Sequence, residues 1–473
     1  MMSNDGTTKK RKARHIAGHI AAFAMCLAVV SCGVDKAVKK GDKYYALGEY
    51  YDAAAQYKKA YQMTPPKERE ARGQRAKRLA ECYDRINSTQ KAIAAYRNVI
   101  RYKQDDMQTH ICLGRRLLAD GNYKEAEKEL QAVLDSVPDN ELVQDMLKSA
   151  KTAAAEKKRG SRYTVRKMDV LNSRRAEYSP VLYGDQYENL YFTSTRNEAD
   201  GNELSGITGT KPADIFISKK DDKGKWGKPE PVQGGLNSAF EEGACCFSTD
   251  QRVMYLTQCV TDPTYPRYAT IATSNRADAA WGKPAVLNVT RDTLSNYAHP
   301  AVSPDGKWLY FVSDMPGGKG GLDIWRARIT PAGLGGAENL GEPVNTPGNE
   351  MFPTFRPNGD LYVGLGGLDI FIATMKNNRI VIEHPGYPLN SHGDDFGMTF
   401  EGPHNRGFFS SNRGDGRGWD HIYSFEKPEI VQTVKGWVYE MDGYELPAAQ
   451  VYLVGDDGTN KKLSVKGDGS FTE

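Results

Sequence analysis

The side chains best suited to chemistry are few and scattered. Two carboxylate groupings, Asp394-Asp395 and the pair Asp415 and Asp420, lie in Gly-rich stretches where oxygen ligands could gather a hard cation such as calcium. Solvated turn residues holding those loops explain them better, so no metal and no cofactor are expected. Of the thiols beyond residue 32, Cys82 and Cys112 fall at helical positions where a small buried hydrophobe fits. Cys245 and Cys246 are neighbours on a strand and point to opposite faces, so at most one could meet Cys259 across a sheet. The eight His residues are dispersed, and no G-x-S-x-G, H-E-x-x-H or Cys-x-x-Cys pattern occurs. No catalytic residue is expected, and the chain reads as a binding protein and not an enzyme.

One further residue has chemistry set by its context. Lys9 to Arg14 (KKRKAR) precede the apolar run Ile16 to Val30, which ends at Ser31-Cys32. A basic start, about 15 apolar residues and a small residue before the cut form a secretory signal, too short to span a bilayer well. Val29-Val30-Ser31-Cys32 resembles the bacterial lipobox, which implies that residues 1–31 are removed and Cys32 is lipidated. Gly33-Val34-Asp35-Lys36 lacks an acidic export cluster, so the expected location is the outer membrane, lipid-anchored, on its periplasmic face.

The elements that follow differ in period and in charge. With 473 residues, about three domains are expected, and 26% charged with 39% hydrophobic residues excludes a disordered or polytopic membrane chain. The net charge of +3 is composite. The signal holds five Lys and Arg against one Asp, and residues 33–160 hold 26 against 19, which leaves the remainder at −8. A basic helical segment suggests an acidic peptide or loop as its ligand, and a solvated basic helix face explains the count almost as well. Nucleic acid is not an expected partner.

Gly41, Tyr44, Ala53, Tyr57, Ala60 and Pro65 are echoed by Ala80, Tyr83, Ala92 and Tyr96, and again by Gly114, Ala126 and Pro138 at the same relative spacing. Copies 39 and 34 residues apart, with small residues at helix crossings and aromatics filling the gaps, resemble the tetratricopeptide repeat. Glu141 to Lys158 reads as a polar capping helix, which places this solenoid at residues 32–160.

From residue 161 to 428 the period becomes that of short strands cut by turns. The clearest copy runs from His299 to Asp314 around the tight turn Pro304-Asp305-Gly306. Related copies begin at Tyr178, Gly243, Phe352 and Phe396, each after an Asn-containing linker. They resemble the WD40-like propeller of TolB and its relatives. Five blades are favoured, and a sixth would need a copy degenerated beyond recognition. The strand near Tyr163 to Leu171 is expected to complete the last blade and close the ring. Arg413-Gly414-Asp415 spells an adhesion tripeptide but lies in a repeat hairpin, and no role is assigned to it.

Residues 429–473 resemble a carboxypeptidase regulatory-like β-sandwich, incomplete after Gly469-Ser470-Phe471. The fold class is thus multidomain: an all-α solenoid, an all-β propeller and a partial sandwich. This module order resembles the PorE-like outer-membrane lipoproteins of the type IX secretion system in Bacteroidota. That likeness implies a periplasm-facing, non-enzymatic scaffold with outer-membrane or periplasmic protein partners. Peptidoglycan would be a partner only if a longer form carried the family's OmpA-like domain. The alternative is a glycan- or peptide-capture lipoprotein for nutrient uptake.

Overall fold

The computed structural model describes residues 33–473 apart from 202, 261–267, 279, 366–367, 378, 430–432 and 456–459. The signal segment, Cys26 and Cys32 lie outside the described residues. The described residues up to Lys427 form one compact unit and those from Pro428 on a second.

Seven helices come first among the described residues: α1 (33–46), α2 (Tyr50–Met63), α3 (Arg69–Arg85), α4 (Thr89–Arg101), α5 (Met107–Ala119), α6 (Tyr123–Leu134) and α7 (Glu141–Arg159). Small residues let paired helices touch. A methyl group added at Gly41 would lie 2.8 Å from the Tyr57 ring, and one at Gly114 2.7 Å from Leu130. Ala53, Ala60, Ala80, Ala92 and Ala126 are wholly buried. Tyr57 packs on Leu79 and Cys82 of the next repeat, while its hydroxyl donates to Asp42 at 2.7 Å. Tyr96 packs with Cys112 and Leu113 of the third repeat. Burial pushes the Cys82 thiol up to about 12, so it is inert.

The first helix of each repeat ends the same way. Gly48, Asn87 and Gly121 adopt φ of 76°, 55° and 74°. The amides of Glu49, Ser88 and Asn122 then donate back to the carbonyls of Tyr44, Tyr83 and Leu117 at 2.9, 2.9 and 2.8 Å. This left-handed cap pairs carbonyls that the helix end would otherwise orphan. Pro65 and Pro138 follow α2 and α6, where no helix has to continue. Asn140 caps α7 by accepting from the Val143 amide at 3.1 Å.

A β-propeller follows, made of five sheets whose main paths each have four strands. The innermost strands are Glu177–Tyr183, Glu241–Phe247, Tyr297–Val302, Met351–Phe355 and Asp395–Phe400. The fifth blade takes its outer strand, Thr164–Lys167, from the start of the domain, with Val165 opposite Phe425. Closure by an early strand leaves the ring without a free sheet edge between first and last blades. The Pro304-Asp305-Gly306 turn joins two strands of blade 3. Gly306 has φ of 69°, and Asp305 accepts from Ser303 Oγ at 2.6 Å and the Lys307 amide at 3.1 Å.

The Asn of the linkers is a backbone clip. Asn172, Asn237, Asn345 and Asn390 each accept from the amide, and donate to the carbonyl, of an Ile on the third strand of the preceding blade. The next Ser or Thr caps a fully buried carboxylate four residues on, as in Ser173 with Glu177 and Thr346 with Glu350. Blade 3 departs from this pattern: Asp292 and Tyr297 stand at the clip and acid positions, and Asn296 instead accepts from the Ala269 amide. Replacing Asn345 by Ala leaves the buried Ile324 amide without its acceptor. A loss of about 2 kcal/mol is expected in urea unfolding, and an unchanged midpoint would refute the clip.

In the second unit Lys435–Trp437 pairs with Ser470–Thr472, and Gln450–Val454 with Asn460–Ser464. Trp437, Met441 and Tyr444 are exposed there.

Candidate functional site: a groove between helices and propeller

Three helix turns dock on the propeller. The start of α2 donates its free Tyr51 amide to the carbonyls of Gly206 and Ile207 in blade 1, at 3.0 and 3.1 Å. Helix amides without an internal partner are thus satisfied by a loop. At the α3–α4 turn Asn87 Nδ2 donates to Asp394 at 2.8 Å, and the Asn87 carbonyl lies against Gly418. At the α5–α6 turn the Ala119 carbonyl lies 3.1 Å from His392 Nδ1, whose ring packs on Gly121. Lys157 of α7 lies over the Tyr387 ring at 5.7 Å.

These contacts leave a groove of about 1360 Å³ between the helices and the linker face of blades 3 to 5. Tyr96, Leu142 and Met146 line its helical wall, and Met351, Phe371 and Tyr387 its propeller wall. Six Lys and Arg and seven Asp and Glu border it. The basic excess of residues 33–160 is therefore not concentrated in this groove. Arg115 and Arg116 are both paired with Asp84, the first at 2.5 Å. Arg116 also donates to Asn87, so the pair braces the docking turn. Across the groove His384 Nε2 lies 3.6 Å from Asp369. Burial raises the Asp369 carboxyl while His384 pulls it back; burial lowers the imidazole, but the Asp369 hydrogen bond raises it on balance.

The carboxylates singled out in sequence are brought to this end of the propeller, but protein donors occupy three of the four. Asp394 accepts from Asn87 and Asn412. Asp395 is paired with Arg413, and Asp415 with Arg417 and His421. Asp420 Oδ1 is buried without a hydrogen-bond partner, and burial raises its pKa well above the usual carboxylate range. Among the described residues no group of three or more His, Cys, Asp or Glu could hold a metal ion. Arg413 of the adhesion-like tripeptide is structural, donating to the Pro388 and Leu389 carbonyls as well as to Asp395. Cys246 pairs across the sheet with Tyr255, and Cys259 with Glu241. Four residues of strand separate them, roughly 13 Å, and no disulfide joins the described cysteines.

Sequence reasoning missed a ring of backbone strain. Each innermost strand carries a bulge whose residue has positive φ: Ser179 (51°), Ala244 (41°), His299 (49°), Phe352 (54°) and Gly397 (61°). Such a conformation in a bulky residue has to be held by its surroundings. Hydroxyls of the preceding blade hold three of them: Ser410, Thr193 and Thr257 accept from the amides of Ser179, Ala244 and His299 at 2.8, 2.9 and 2.9 Å. Blade 3 has Val312 at the hydroxyl position. There the rings take over, with His299 stacked on Phe352 at 3.8 Å and Phe352 on Phe396 at 4.2 Å.

Burial holds the His299 imidazole down, at about 3. Its folded value lies below the unfolded one, so its contribution is present above about pH 6.5 and declines as pH falls. His299→Phe is compatible with the backbone, since Phe352 occupies the same register. Between pH 7 and 5 the wild-type protein is expected to lose about 1–2 kcal/mol that this variant does not. Parallel pH profiles in chemical denaturation would contradict the assignment.

The fold is a tetratricopeptide-type solenoid docked on a five-bladed propeller. No family model matches the chain, and no curated protein does. Among solved structures, the chain is similar to the first tetratricopeptide domain of Spaghetti (RPAP3) bound to the HSP90 peptide SRMEEVD, at 22% identity over 26% of this chain and 95% of that one, with TM-score 0.23. It is also similar to a protein of unknown function from Dyadobacter fermentans DSM 18053, at 13% identity over 53% and 77%, with TM-score 0.34. The endo-arabinase from Bacteroides thetaiotaomicron VPI-5482 matches at 15% identity over 55% and 96%, with TM-score 0.35.

Proposed function

We propose that the protein is a non-enzymatic interaction scaffold that holds a polypeptide segment in the groove between its helices and its propeller. The observation that carries this reading is the groove itself: a charge-balanced space of about 1360 Å³ with one wall from each module and apolar side chains on both. A wall of Tyr, Met and Leu beside charges of both signs suits an extended segment of mixed character. The buried carboxylates of the repeats are committed to hydroxyls, amides and arginines, which favours architecture over catalysis for them.

The finer reading rests on the lipobox-like end of the signal and on module order. It makes the protein a periplasm-facing outer-membrane lipoprotein, with a role in type IX secretion and gliding. Two acyl chains or more would anchor it stably. Cys32→Ser is expected to move the protein from the membrane to the soluble fraction, and an unchanged membrane pool would refute the anchor. Capture from solubilised envelopes tests the scaffold. Secretion or barrel proteins that co-purify and are lost on groove substitution support it; glycan retention without protein supports nutrient capture instead. Normal secretion and gliding after deletion would count against the type IX role.

A further inference from the structure

A second cavity, of about 310 Å³, lies within the propeller and runs from the strained bulges toward the turns that follow the innermost strands. The groove opens beside the linkers that precede those strands, so the two spaces lie toward opposite ends of the ring. This volume falls at the lower end of the range that small-molecule pockets occupy, about 300–1,000 Å³.

Its wall is electrically unusual. None of its 27 lining residues is Asp, Glu, Lys or Arg, in a chain of which 26% is charged. The one ionisable imidazole, His299, is held neutral. Its Nδ1 faces the Phe352 amide at 3.4 Å, which puts the ring proton on Nε2. Its polar side chains bear no charge, and two hydroxyls among them have a hydrogen to give. Ser179 is 6% exposed, and its Oγ has no hydrogen-bond partner. Thr399 Oγ1 accepts from the Leu182 amide at 3.1 Å and keeps its own hydrogen to give. Tyr183, Phe352 and Met398 add ring and thioether surface to the same wall.

A buried hydroxyl without a partner, in a wall that bears no charge, calls for an acceptor brought from outside. We infer that this cavity is a binding site for a neutral organic molecule of about one ring in size that presents acceptor oxygens to Ser179 and Thr399. Charged ligands are excluded, because no counter-charge repays their desolvation. A sugar ring and an aromatic amide share the required chemistry, and the test separates them.

The full chain is titrated with methyl β-glucoside and benzamide, and with glucuronate and benzoate as their charged counterparts, by ligand-observed NMR. One neutral probe is expected to bind with Kd of about 10 mM or tighter, a typical strength for so few atoms, and its carboxylate counterpart about tenfold more weakly. Ser179→Gly removes the hydroxyl at a φ of 51°, which glycine adopts freely, so the fold is retained. Loss of affinity by about threefold or more is expected from it. Failure of both neutral probes to bind, equal binding by a carboxylate, or unchanged affinity in Ser179→Gly would each overturn the inference.

Discussion

Arg196→Met is expected to destabilise the propeller by about 3–5 kcal/mol, the cost of leaving a buried charge unpaired. Arg196 is 5% exposed and Glu177 not at all. The guanidinium reaches Glu177 at 3.2 Å, the Leu171 carbonyl at 2.7 Å and Ser194 Oγ at 3.1 Å. It also lies over the Phe192 and Phe216 rings. Leu171 belongs to the linker between the closing strand and blade 1, so the same side chain ties ring closure to a buried acid. With Arg196 gone, Glu177 keeps Ser173 and Ser194 as donors and His421 Nδ1 at 3.5 Å, but loses its guanidinium counter-charge. Adding Glu177→Gln should restore about 2 kcal/mol or more, since the uncompensated charge is then absent. Equilibrium unfolding of the two single variants and the double variant checks this. Additive losses would mean that the pair is not coupled. Arg413 and Asp395 repeat the arrangement in blade 5, with Arg413 donating to Ser411 Oγ and to linker carbonyls.

Gly418→Val should separate the helices from the propeller at the α3–α4 turn without unfolding either. Gly418 has φ of 78°, and an added Cβ would lie 1.9 Å from the Asn87 carbonyl oxygen. A backbone oxygen in a helix cap cannot swing away as a flexible side chain does, so the turn itself has to move. The left-handed backbone adds about 1 kcal/mol against any β-carbon. The Asn87–Asp394 hydrogen bond and the Arg116 brace on Asn87 are lost with it. Circular dichroism should be unchanged, while amide exchange at the docking turns 86–88 and 120–122 rises about tenfold or more, as local opening becomes cheaper. Unaltered exchange would show that the docking does not depend on this contact.

The elements were legible in sequence because each leaves a periodic trace. Gly41, Ala80 and Gly114 recur because helices cross there. The Asn of four linkers recurs because it pairs with both polar groups of one Ile in a neighbouring strand. The closing strand was legible from the count of linkers against copies. The docking was not, because Gly206, Gly418 and His392 act singly, on turn backbones, with no period to betray them. Nor could the net charge of a segment report which face of its helices bears it: the positive excess lies largely elsewhere than in the groove. The cysteine register was hidden for a different reason. A bulge beside Ala244 shifts the pairing within the innermost strand, and the sequence alone does not show where that extra residue sits. Blade 3 looked like the clearest copy, yet it is the one that lacks both the Asn clip and the buried acid. Its strong strand pattern comes from Trp308, Tyr310 and Val312, which report sheet packing and not the linker chemistry.

The proposed function rests on the groove, and photo-crosslinking from within it is the decisive test. A photoreactive residue is placed at Leu142, 39% exposed on the helical wall, or at Tyr387, 37% exposed on the propeller wall, in the full chain in its own envelope. Both positions should capture the same polypeptide, at adjacent sites along one segment, and Gly418→Val should abolish the adduct from both. Different polypeptides from the two walls, or adducts that survive Gly418→Val, would contradict a single site built jointly by helices and propeller.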